Sequence, residues 1–263
     1  MATALITGAS SGIGLELARV FAKEDHDVIL VSRSEEALLS LADELQTQYG
    51  IRAFAIAQDL SKHNAGTKLF KKIQALNVSV DFLVNNAGFG LYGEFSETSL
   101  PRELDMIQLN IVAVTELTKH FLPLMIKQGH GRILNVASVA AFMPGPLMAV
   151  YFASKAYVLS FSEALATELK DSGVTVTALC PGFTTTGFQA AAEWKTSSLN
   201  DFTPSMGAQE VARAGYQAML KGESIHVTGV TNKAITNSTR LLPRRWVSSM
   251  VKRFQAASTK SSN

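Results

Sequence analysis

The 263-residue sequence predicts an α/β fold, a single domain built on a doubly wound parallel sheet of about seven strands flanked by helices. Three observations carry this expectation. Short apolar runs rich in β-branched residues alternate with longer segments of helical spacing along most of the chain, the pattern of a parallel sheet covered on both faces. The length suffices for a full core and lies near the upper end of what one α/β domain holds. The composition, 47% hydrophobic and 17% charged, is that of a globular chain.

In chain order, the first apolar run covers 2–7 and ends at a glycine-punctuated turn, after which helical spacing runs over 12–24. A strand near 27–32 is followed by Ser34, Glu35 and Glu36, an N-terminal helix signal, and by a Leu-rich face to 48. Strands near 51–57 and 80–85 bracket a helix near 61–75. A long apolar helix over 100–128 closes at Gly129 and leads to a strand near 131–137. A helix over 151–171, a strand at 174–180, a helix at 207–221 and a strand at 225–228 complete the alternation. Two stretches, 88–100 and 183–206, mix Gly, Ser, Thr and aromatics and read as loops or short helices beyond strands 4 and 6. Ligands of open α/β sheets bind beyond the carboxyl ends of the strands, so both are expected beside a substrate.

Charge and cysteine content exclude several classes. The N-terminus lacks a basic region and a long apolar core, and no later stretch approaches the ~20 apolar residues that span a bilayer. Cys180 is the single cysteine, so neither an intrachain disulfide nor a multi-cysteine metal site is expected, and the cytoplasm is the expected compartment. Net charge is +2, but after Glu223 come seven Lys and Arg residues and no acid, leaving 17 basic against 22 acidic residues in the body. Nucleic acid is therefore not an expected partner of the body.

The turn Thr7-Gly8-Ala9-Ser10-Ser11-Gly12-Ile13-Gly14 follows the first strand and opens the first helix. Its glycines permit a sharp turn and let backbone N–H groups approach a pyrophosphate at a helix N-terminus; the alternative is a tight strand-to-helix turn with no ligand. Strand 2 ends in Ser32-Arg33-Ser34, where a free ribose 2′-hydroxyl would require an acid. A cation and flanking hydroxyls suit a 2′-phosphate, so NADP(H) is expected over NAD(H), although Arg33 also reads as a solvated loop charge. Asp59, with Leu60 beside it, stands where an adenine would lie, and Asn85-Asn86-Ala87-Gly88 along the ribose. Alone, each also reads as a capping or loop residue.

Tyr151 and Lys155 share one face of a helix. An adjacent ammonium stabilises a phenolate and lowers the tyrosine pKa from ~10 toward the range useful for acid–base chemistry. The pair alone would read as an interfacial tyrosine with a surface lysine. Ser138, after strand 5, is placed to hydrogen-bond a carbonyl oxygen. Asn110 is an amide within an apolar helix and must be satisfied if buried. Cys180 reads as a small buried residue, since no base motif accompanies it.

Taken together, Thr7 to Gly14, Asn85 to Gly88, Asn110, Ser138, Tyr151 to Lys155 and Pro181-Gly182 give residues 1–228 a resemblance to the short-chain dehydrogenase/reductase family. The resemblance implies a Rossmann sheet and an Asn110, Ser138, Tyr151, Lys155 tetrad. By it Tyr151 would protonate the carbonyl oxygen, Ser138 polarise the carbonyl, Lys155 bind the ribose and lower the tyrosine pKa, and Asn110 hold a water on a proton route. Pro181, Gly182 and Thr184 would flank the nicotinamide, and a homodimer or homotetramer would form through the helices near 100–128 and 151–171. An epimerase or dehydratase with the same Tyr-Lys pair, and a non-catalytic cofactor sensor, are the competing readings.

Phe89, Leu91, Tyr92, Phe142, Met143, Met148, Phe183, Phe188, Trp194 and Phe202 are the candidate pocket residues, with few ionisable groups among them. An apolar carbonyl or alcohol is the expected substrate. Residues 229–263 form a basic C-terminal extension in which Leu242, Trp246, Val247, Met250, Val251 and Phe254 share a helical face. Such a helix can dock on its own domain, in an oligomer interface or on an anionic membrane; docking on protein is the leading expectation.

Overall fold

The computed structural model describes residues 1–185, 205–239 and 243–260. Seven strands form one sheet: β1 (Thr3–Thr7), β2 (Asp27–Ser32), β3 (Ala53–Ala57), β4 (Phe82–Asn85), β5 (Gly131–Val136), β6 (Val174–Cys180) and β9 (Ile225–Val227). Their spatial order is β3-β2-β1-β4-β5-β6-β9, and every pairing is parallel. This is the expected α/β architecture. All five residues of β1 are buried, as a strand covered on both faces requires. A second sheet, not anticipated, pairs the two-residue strands β7 (Thr184–Thr185) and β8 (Met206–Gly207).

Helices α1 (Gly12–Lys23), α2 (Glu35–Tyr49) and α7 (Ala208–Leu220) cover one face. Leu17, Phe21, Leu38, Leu45, Val211 and Met219 are buried there against Ile6, Leu30 and Val84. Gly215 lets α7 approach the sheet, because a Cβ at that position would meet Leu179 Cδ2 at 2.6 Å. On the opposite face α3 (Ala65–Gln74), α4 (Leu100–Ile107), α5 (Val114–Gln128) and α6 (Ala149–Glu168) are laid down. Leu69, Ile73, Leu117, Phe121 and Met125 enclose Leu5, Ile29, Leu83 and Ile133.

Three elements depart from the sequence expectation. The helix expected near 61–75 begins at Ala65, where Glu116 Oε2 accepts from the Gly66 N–H at 2.9 Å and caps its first turn. The 100–128 helix is long and apolar enough to cross a membrane by length and composition, contrary to expectation, yet its buried stripe belongs to the core under the sheet. It is also interrupted by a π-helical turn, Gln108–Ala113, that carries Asn110. The described residues of the C-terminal extension form helices α8 (Val230–Ser238) and α9 (Arg244–Lys260).

The winding reverses between β1 and β4: the chain leaving β1 runs to β2 on one side, and the chain leaving β4 runs to β5 on the other. Open α/β sheets form their ligand crevice at this switch.

Candidate active site

The glycine turn leaves β1 at the switch point, with Gly8 at φ +69° and Gly12 at φ +56°, backbone that L side chains resist. A Cβ on Gly8 would lie 2.8 Å from Asn86 Nδ2, and one on Gly14 would strike the Gly8 carbonyl, so both positions require hydrogen. Thr7 ties the two strands together: its hydroxyl donates to Val84 O and accepts from the Asn86 and Ala87 N–H groups at 3.0 Å. Asn86 Nδ2 donates to Thr7 O at 2.9 Å and Gly8 O at 3.3 Å. These bonds fix the turn. Helix α1 then opens with no side-chain cap on Ser11 and no acid in its first turn, so its leading N–H groups and positive dipole end face the crevice.

At the end of β2, Ser34 N donates to Ser32 Oγ at 3.2 Å, and this local turn presents Arg33 on the exposed rim. Asp59 Oδ1 accepts from Ser61 N at 2.9 Å and Ser61 Oγ at 2.7 Å. Burial pushes the Asp59 carboxyl up, but the Ser61 bonds together with Lys62 and Arg33 hold it below its usual value. The cradle of free helix N–H groups, a turn closed to any Cβ, and a rim cation fits a dinucleotide phosphate chain.

The other end of the crevice is built from β5, the π turn and α6. Asn110, 1% exposed, is satisfied on every side. Its Oδ1 accepts from Phe89 N at 3.2 Å, while Nδ2 donates to Phe89 O and to Ser154 Oγ, both at 3.0 Å. Ser154 Oγ in turn donates to the Tyr151 carbonyl at 2.7 Å, so Asn110 links the loop after β4 to the helix bearing Tyr151. Ser138 is the N-cap of a 3-10 turn and accepts from Ala140 N at 3.1 Å. Its side chain also hydrogen-bonds Tyr151. Lys155 is buried, donates from Nζ to Val136 O at 2.8 Å and lies 5.9 Å from the centre of the Tyr151 ring.

The expected lowering of the tyrosine is not what this geometry produces. Burial pushes the Tyr151 phenol up to about 12, against the opposing pull of the Ser138 bond. Burial also brings the Lys155 ammonium down to about 8. In both groups burial, which disfavours the charged form, is the largest effect. Cys180 is buried as expected, its thiol pushed up to about 12 by desolvation, which makes it an inert packing group.

One cavity of about 900 Å³ runs from the glycine turn to this end. Gly8, Ser10, Ser11, Gly12, Ile13, Ser32, Arg33, Asp59, Leu60 and Asn86 to Gly88 line its first half; Ser138, Tyr151, Lys155, Pro181, Gly182 and Thr184 line the second. Gly14 and Asn110 stand behind the wall and act through packing and hydrogen bonds. Of the expected pocket aromatics and methionines, Phe89, Met143, Met148 and Phe183 border the cavity. Leu91 and Phe142 are packed away from it, and Tyr92 reaches Gln255 O at 3.1 Å. Phe188, Trp194 and Phe202 lie outside the described residues.

Sequence reasoning missed the far wall. Asn232, Ile235 and Thr239 from the α8 segment, and Val247, Met250, Val251 and Gln255 from α9, close the cavity. The single apolar face expected for 241–254 is split: Val247 and Val251 point inward, whereas Trp246 and Met250 are 57% and 48% exposed. The apolar periodicity of 241–254 was the available signal for this wall; nothing comparable marks 230–238.

A glycine turn at the switch point of a Rossmann-type sheet and a tyrosine, serine and lysine cluster share one cavity. The chain belongs to the short chain dehydrogenase family, whose profile matches residues 2–196. It is 36% identical over 181 residues to the ketoacyl reductase HetN of Nostoc sp., covering 69% of this chain and 63% of that protein. The chain spans about three-fifths of the length of the first curated relatives it matches. Among solved structures it is similar to a short-chain dehydrogenase from Sphingobium yanoikuyae in complex with NADPH, with TM-score 0.81 and 30% identity over 92% of this chain and 94% of that one. It is also similar to a Burkholderia phymatum family member in complex with NAD, with TM-score 0.79 and 28% identity over 90% and 92% of the two chains.

Proposed function

We propose that the protein is an NADP(H)-dependent carbonyl reductase, reversible toward alcohol oxidation, that acts on an apolar ketone or aldehyde with Tyr151 as general acid–base. The observation that carries this reading is the hydrogen bond between Ser138 and Tyr151 on the wall of the cavity that begins at the glycine turn. A bound nicotinamide would supply the hydride chemistry at the substrate carbon. The N–H groups from Gly12 onward would hold the pyrophosphate, Arg33 and Ser32 the 2′-phosphate, and Pro181, Gly182 and Thr184 the nicotinamide side. Asp59 and Leu60 would border the adenine, and Asn86 to Gly88 the ribose.

Tyr151, with its phenol pushed up to about 12, stays protonated at neutral pH and donates that proton to the substrate oxygen. Ser138 orients the same oxygen. Lys155, brought down to about 8, carries a readily exchanged proton beside the ring and a positive charge that favours transient phenolate. Asn110 holds the loop after β4 and helix α6 in register, which fixes Tyr151 against Ser138. The walls supplied by Phe89, Met143, Met148, Val247 and Val251 exclude water and favour an apolar substrate. Assembly as a homodimer or homotetramer belongs to the same reading, supported by exposed Leu104, Leu124 and Ile126 on the long helix and Tyr157 on α6.

The test is NADPH consumption over a panel of apolar ketones, aldehydes and 3-oxoacyl thioesters, the last prompted by the name of the Nostoc relative. Turnover of apolar members is the expected outcome. A panel without any turnover, in a protein that still binds NADPH, would replace the reductase with a cofactor-sensing binding protein.

A further inference from the structure

We propose that the outer face of α9 is a docking surface for an anionic lipid bilayer, placing the mouth of the cavity at the membrane surface. Helix α9 is two-sided. Val247, Val251 and Gln255 recur at i, i+4 and i+8 and turn inward onto the cavity. Trp246, Met250 and Arg253 recur at i, i+4 and i+7 on the opposite side, with Arg245, Ser249 and Lys252 flanking them, and all six are exposed.

A large aromatic and a methionine held open to water among cations, with no acid, is the composition of an interfacial helix. The absence of acid extends well beyond α9: from Ser224 to Asn263 the chain carries Lys233, Arg240, Arg244, Arg245, Lys252, Arg253 and Lys260 and no Asp or Glu. The body opposes this with a net −5, so attraction to an anionic surface is directional and presents α9 first. A second copy on the same face would set cation against cation. A nucleic acid would leave Trp246 and Met250 without an apolar environment, whereas the headgroup boundary of a bilayer accommodates both.

Met250 joins the two sides of the helix, since it is exposed and also lines the cavity. An apolar compound dissolved in the bilayer would therefore meet the cavity at the lipid boundary without crossing water. This last step rests on the carbonyl reductase reading, but the docking itself does not.

The test uses the full-length protein without substrate, sedimented with vesicles of phosphatidylcholine containing phosphatidylglycerol or of phosphatidylcholine alone at low ionic strength. Sedimentation is expected with the anionic vesicles only, together with a blue shift of Trp246 emission that Trp246→Phe removes. Each cation near such a surface contributes about a five-fold factor, so Lys252→Glu with Arg253→Glu should weaken binding by about 25-fold or more. Neither residue lines the cavity, so NADPH affinity serves as the check that the variant is folded. The proposal is overturned by failure of the wild type to sediment, or by equal binding to neutral vesicles. Retention by the double variant, or binding without a Trp246 shift, would overturn it equally. A failed carbonyl panel leaves these readouts untouched.

Discussion

Lys155→Met is expected to stabilise the fold at neutral pH while removing turnover, and the size of the gain follows from where the ammonium sits. Lys155 is 6% exposed, and burial brings it from 10.5 to about 8. That difference corresponds to about 3 kcal/mol by which the folded state disfavours the charged form. Methionine fills a similar volume without charge but forfeits the charge-assisted bond to Val136 O, worth about 2 kcal/mol, which leaves a net gain of about 1 kcal/mol. In a chain of this size such a gain raises Tm by about 2 °C. The pH dependence has a definite sign. Below about 8 both folded and unfolded states carry the lysine proton and the penalty is complete; between about 8 and 10.5 only the unfolded state keeps it, so the wild type regains stability as pH rises. Urea denaturation of both proteins across this range reads the difference between them. A variant less stable than wild type at neutral pH, or a difference that does not shrink above pH 8, would refute the desolvation argument.

Three further perturbations test other parts of the structure. Arg33→Asp should invert cofactor preference, weakening NADPH and strengthening NADH in a fluorescence titration; equal affinities in the wild type would remove the 2′-phosphate assignment. Phe21→Ala empties a fully buried site where the ring packs on Phe82 at 5.2 Å and edge-on to Tyr216 at 5.0 Å, and should destabilise the fold by about 3–5 kcal/mol in chemical denaturation. Asn110→Leu strands the Phe89 N–H and C=O groups and should lower stability by about 2–4 kcal/mol and reduce kcat more than it raises cofactor Kd. An unchanged denaturation midpoint would show that this amide is dispensable.

The sheet was legible because its strands are covered on both faces and read as continuous apolar runs, and because the helices between them keep a 3.6-residue period. The glycine turn and Tyr151 with Lys155 were legible for another reason: residue type and spacing encode them locally. Features set by tertiary demands were not legible. The π turn at Gln108–Ala113 serves Asn110's bonds to Phe89 and Ser154, partners 21 and 44 residues distant. Helix α8 reads Val-Thr-Asn-Lys-Ala-Ile-Thr-Asn-Ser, with too few apolar positions for a period to declare itself. In α9 the apolar face was visible, but its division between cavity and solvent depends on the body it docks against. Reasoning from the lysine charge alone also missed the direction in which Tyr151 moves, since desolvation depends on enclosure and not on spacing.

The central claim is that Tyr151 transfers the proton while the rest of the cavity holds cofactor and substrate. Its most direct measurement is Tyr151→Phe, assayed for NADPH affinity and for turnover on the best substrate of the carbonyl panel. Cofactor affinity and fold should be unchanged, with kcat reduced by about 10²-fold or more. A variant that retains wild-type kcat would contradict it.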